Sequence, residues 1–93
     1  MGEGTMRIKG TAWRPINQAA EEKIKTAHPD LAKEPCFDIL LISFYGIAER
    51  EFPNTEISIE EIAEVLKEKN RHDQDALEDI HSTMELIKLF LPD

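Results

Sequence analysis

Apolar side chains fall into four blocks along the chain, and three of the blocks repeat at helical spacing. Ile16, Ala20, Ile24 and Ala27 recur every three or four residues. With Asn17 as a possible N-cap and Pro29 blocking extension, they predict a first helix over about Asn17–Ala27. From Pro35 to Glu51 the apolar residues Phe37, Ile39, Leu40, Leu41, Ile42, Phe44, Tyr45, Ile47 and Ala48 cover nearly all sides. Pro35 suits a first turn and Pro53 lies just past the end, so this stretch predicts a helix at the centre of the domain. A buried strand cut at Gly46 is the alternative, but the two prolines stand further apart than a strand usually reaches. Ser58 and Glu61 form a capping box ahead of Ile59, Ile62, Ala63 and Leu66, which share one face of a third, surface helix. After the charged turn Asn70–Asp73, Leu77, Ile80, Met84, Ile87 and Leu91 mark a fourth helix, from about Gln74 to Phe90 and stopped by Pro92. Met6 to Trp13 alternates weakly, as in one short strand or an extended arm. The expected fold is mainly α, a single-domain bundle of three to four helices over 16–93, preceded by an N-terminal arm or short strand over 1–15. Its expected core contains Leu40, Phe44, Ile62, Leu66, Ile80, Met84 and Ile87.

Charge refines this picture. The 93 residues carry eleven Lys and Arg against nineteen Asp and Glu, a formal net charge of -8. Residues 1–45 hold six of each sign, whereas 46–93 hold five basic and thirteen acidic, so the acidity lies wholly in the second half. General affinity for nucleic-acid backbones or anionic lipid is therefore not expected. Cys36 is the only cysteine and sits against an apolar run, which predicts a buried, unreactive thiol in a reducing compartment. The first eleven residues lack the apolar segment of a signal peptide, and Ile39 to Ala48 is too short to span a bilayer. A cytoplasmic location with no membrane partner is expected.

The side chains that carry chemistry are scattered. His28, Cys36, His72 and His81 show no pair at the short spacings of zinc sites. Asp73, Asp75, Glu78 and Asp79 resemble a calcium loop only in charge, because Leu77 and Ile80 place them on a helix. No catalytic constellation, metal site or cofactor site is expected. Binding surfaces are better candidates. The acids Glu60, Glu61, Glu64, Glu68, Asp75 and Glu78 would suit a basic protein partner. Trp13 and Arg14, with Arg7 and Lys9, form a basic segment with one aromatic anchor for a partner; alternatively, Trp13 folds back over the core.

Two resemblances bear on function. His28-Pro29-Asp30 resembles the loop tripeptide of J-domains, but the preceding stretch sets Glu21 and Glu22 against Lys23 and Lys25, where that family has a strongly basic helix. The plain reading is a helix stop followed by a capping Asp30. More broadly, the long apolar helix, the capped segment Ser58–Leu66 with its small Ala63, the turn and the last amphipathic helix resemble the helical core of winged-helix domains over about residues 37–92. That resemblance implies a DNA-binding transcriptional regulator, with the fourth helix in the recognition position. The sequence departs from the pattern in having no wing strands after that helix and in the acids at its start. The expected function is therefore an acidic protein-interaction or regulatory module, such as an inhibitor or nucleic-acid mimic acting on a basic partner, with the DNA-binding regulator as the alternative.

Overall fold

The computed structural model describes residues 6–91. The first five residues of the expected arm, and Pro92, expected to stop the last helix, lie outside the described residues. In chain order, the elements are β1 (Ile8–Lys9), a 3-10 turn at Gly10–Ala12, α1 (Trp13–Ala27), a second 3-10 turn at Leu31–Lys33, α2 (Pro35–Glu51), β2 (Glu56–Ile57), α3 (Ile59–Lys69) and α4 (Gln74–Leu89). The fold is mainly helical, one domain with a single hydrophobic cluster drawn from all four helices.

The helix α2 is the hub, in contact with α1, α3, α4 and both 3-10 turns. It buries Phe37, Leu41, Phe44, Tyr45, Ile47 and Ala48. The expected burial on all sides needs correction, because Ile39 is 63% and Ile42 54% exposed. These five neighbours all lie to one side of α2 and leave its outer face uncovered. Leu40 is likewise only half-buried, and its neighbour Leu41 takes the core position. Phe44, Ile62, Leu66, Ile80, Met84 and Ile87 lie in the core.

The helix α1 starts four residues earlier than its pattern predicts. Pro15 does not stop it, since a residue in the first turn has no intrahelical use for its N–H. Trp13, Ala20 and Ile24 are buried on its inner face, together with Asn17. Asn17 is thus no cap: it is 1% exposed, and its side-chain oxygen and nitrogen find no partner among the described residues. Asp30 precedes the second 3-10 turn without a side-chain capping bond. Cys36 is exposed, not buried, because it faces outward from the first turn of α2.

At the other end, β1 and β2 pair antiparallel, Ile8 opposite Ile57 and Lys9 opposite Glu56. This pairing ties the N-terminal segment to the start of α3. There the capping box is complete: the Glu61 N–H donates to Ser58 Oγ at 3.2 Å, and the Ser58 N–H donates to Glu61 Oε1 at 2.9 Å. That second bond is the main reason why the Glu61 carboxyl titrates below its ordinary 4.5, with Arg7 adding to the effect. A carboxyl lowered by folding contributes stability that is complete above its unfolded pKa and is lost as pH falls through its folded one. Ser58→Ala should therefore cost about 1 kcal/mol at neutral pH, and Glu61→Gln should flatten the acid limb of wild-type stability below pH 4.5. Urea unfolding between pH 7 and pH 2 (roughly the range over which such a group titrates) checks both; an unchanged acid limb contradicts this role for Glu61.

Candidate functional site

The acidic residues expected to bind a partner divide into two groups once their neighbours are in place. On α3, each carboxylate has a cation within reach. Glu60 meets Lys88 at 3.0 Å, Glu64 meets Lys67 at 3.7 Å and Glu68 meets Arg71 at 2.8 Å. Glu61 pairs with Arg7 besides serving the cap. Exposed pairs of this kind add little stability, but each cation cancels much of its partner's field. The row of acids on α3 is accordingly close to neutral.

Asp75 and Glu78, at the start of α4, have no salt-bridge partner among the described residues, and neither does Asp79. Asp73 caps this helix by accepting the Ala76 N–H at 3.1 Å. Asp73 and Asp75 suit the positive end of the helix dipole, whereas Glu78 and Asp79 lie one turn further along and keep their charge uncompensated.

Next to them lies a groove between the second 3-10 turn, the first turns of α2 and the middle of α4. Leu31, Phe37, Leu40 and Leu86 supply its apolar surface, and Asp30, Glu34 and Asp79 its charges. Cys36, Ser82 and Thr83 complete the lining, which contains no basic side chain. Lys33 sits on the adjoining turn without lining it. The groove encloses about 250 Å³, smaller than the usual cavity for a drug-sized molecule of about 300–1,000 Å³. It has room for one or two side chains. A larger hollow of about 490 Å³ lies over α1, but its lining of Gln18, Glu21, Glu22 and Lys25 contains no apolar side chain.

Trp13 and Arg14 leave the candidate surface for separate reasons. Trp13 is fully buried, and its Nε1–H donates to the Ile57 carbonyl at 2.9 Å. It closes the joint between α1 and β2, so of its two expected roles the fold over the core holds and the contact with a partner is withdrawn. Arg14 donates through Nε and Nη2 to the two oxygens of Glu49, at 2.6 and 2.8 Å, and its guanidinium lies 4.9 Å from the Tyr45 ring centre. Its bond to Glu49 raises the Arg14 pKa and lowers that of Glu49. Arg7, bound to Glu61 and the Glu56 carbonyl, and Arg14 are therefore engaged within the fold, whereas Lys9 is exposed and has no ion pair among the described residues.

The groove was not foreseen from sequence. Its residues come from stretches about 50 positions apart, and nothing in the spacing of either stretch brings them together. Among the described residues, no three His, Cys, Asp or Glu side chains are grouped to hold a metal, and no helix is long and apolar enough to cross a membrane. No protein-family model matches the chain, and neither a curated protein nor a solved structure matches it significantly.

Proposed function

We propose that this chain is a non-catalytic interaction module that docks a basic, amphipathic segment of another protein into the groove between α2 and α4. The observation that carries the reading is the pairing of an apolar floor with Asp30, Glu34 and Asp79, none of them ion-paired among the described residues. An apolar anchor entering such a groove is desolvated, while flanking Lys or Arg side chains meet the carboxylates at its rim. The uncompensated acids on α4 extend the same attraction outward and would steer the encounter. A regulatory or inhibitory role fits this chemistry, since the bound segment would be withheld from other ligands. The same carboxylates oppose the DNA-binding alternative, whose recognition helix would bring Asp75, Glu78 and Asp79 towards phosphates.

The test is calorimetric titration with a synthetic helical peptide carrying leucines at every third or fourth position and lysines between them. Glu34→Lys combined with Asp79→Lys should weaken binding about tenfold or more, equivalent to about 1.4 kcal/mol. The combined reversal of Glu60, Glu64 and Glu68 to lysine should weaken it much less, because those carboxylates already hold cations. The opposite ranking, or tighter binding to duplex DNA than to the peptide, overturns the proposal.

A further inference from the structure

Docking of a plain apolar anchor leaves Thr83 without a role. This residue lines the groove and is only 4% exposed, yet its hydroxyl makes no hydrogen bond among the described residues. Thr26 and Ser43 each donate to the carbonyl four residues back along their helix; Thr83 does not. Among the described residues, the side-chain oxygens and nitrogens that are both sealed from solvent and unpartnered belong to Asn17 and Asp38. The Thr83 oxygen is therefore not sealed, and the space it opens into is the groove. Its place on the helix adds to this. Asp79, Thr83 and Leu86 stand four and three residues apart on one face of α4, so the hydroxyl lies where the charged end of this wall gives way to the apolar end.

We infer that the groove takes a tryptophan as the anchor of the basic segment, with the indole N–H donating to Thr83 Oγ1 and the ring against Phe37, Leu40 and Leu86. The inference rests on the docking proposed above and names the side chain that enters. Leucine in the same place would cover the hydroxyl and leave it dry and unpaired, which costs affinity. Tryptophan combines a large apolar ring with one polar edge, so it covers the floor and satisfies the hydroxyl together. Tyrosine is the poorer match. The charged groups of the lining, Asp30, Glu34 and Asp79, are all acceptors, and no lining side chain carries an N–H. The indole N–H only donates, whereas a phenol oxygen also presents lone pairs to those carboxylates. The groove's volume of about 250 Å³ holds one such ring, and lysines or arginines on either side of it would meet the three carboxylates.

The test compares three forms of the cationic helical peptide, with leucine, tryptophan or naphthylalanine at the central anchor position, by calorimetric titration of the wild type and of Thr83→Val. Naphthylalanine offers a ring of similar area without an N–H, and valine keeps the shape of threonine without the hydroxyl. The wild type should bind the tryptophan peptide about five- to tenfold more tightly than the naphthylalanine peptide, the worth of one neutral hydrogen bond. Thr83→Val should erase that difference and leave the leucine peptide bound no more weakly. If a thermal melt shows Thr83→Val unfolded, the comparison of the two rings on the wild type decides. Equal binding of the two rings by the wild type, or a difference that survives Thr83→Val, overturns the tryptophan anchor and leaves the docking site standing. Binding of none of the three peptides overturns both.

Discussion

Trp13→Ala should destabilise the protein by about 3 to 5 kcal/mol, the range for emptying a buried aromatic site. The whole stability of so small a domain is only about 5 to 15 kcal/mol, so this one change removes a large share. Trp13 is fully buried in the common core, and its indole N–H satisfies the Ile57 carbonyl at 2.9 Å. Alanine leaves a cavity and, in addition, a buried carbonyl without its donor. Trp13→Phe separates the two effects, since it retains most of the packing and loses the hydrogen bond, and should cost about 1 to 3 kcal/mol. Equilibrium unfolding in urea reads both. Near-neutral behaviour of Trp13→Ala would show that α1 does not depend on this anchor.

Gly10→Ala should be of comparable severity, through a different cause. Gly10 packs so closely against the end of α2 that an added Cβ would stand 2.0 Å from the Ala48 carbonyl oxygen and 2.2 Å from that of Phe52. The Gly10 N–H also donates to the Phe52 carbonyl at 2.8 Å, which holds the contact in place. Both clashing atoms belong to backbone, so no side chain can rotate away. Relief requires the first 3-10 turn to withdraw from α2, and the cost should reach or exceed the usual overpacking range of about 1 to 3 kcal/mol. Gly46→Ala is the internal contrast. It meets open space and should stabilise the monomer by up to about 1 kcal/mol. Thermal melts of the two variants should shift in opposite directions; a shared sign would contradict the packing at Gly10.

The elements that local chemistry controls were legible in the sequence. Pro35 and Pro53 bracket α2, and the Ser58–Glu61 box places the start of α3, because each acts within a turn or two of its own position. The start of α1 was not, since reading Pro15 as part of an arm hid that Trp13 extends the stripe of Ile16, Ala20 and Ile24 back by one turn. Asn17 and Cys36 were misjudged for the same reason: burial depends on which side faces the hub, and composition alone does not say. The candidate site was still less legible. Lys88 reaches Glu60 over 28 residues and Arg7 reaches Glu61 over 54, so the cancellation of charge at Glu60 and Glu61 is a tertiary effect, whereas Glu64 and Glu68 pair locally with Lys67 and Arg71. The acidic total survives folding, but its unbalanced part lies around α4 and the groove.

The central claim is that this unbalanced charge and the apolar groove act together as one docking site. Residue-by-residue NMR titration with the cationic, leucine-bearing peptide tests it most directly. The predicted result is a saturable set of shifts centred on Asp30, Leu31, Glu34, Leu40, Asp79 and Leu86, with Glu60, Glu64 and Glu68 on α3 nearly unmoved. Shifts centred on α3, or shifts spread over every acidic residue without saturation, would contradict it.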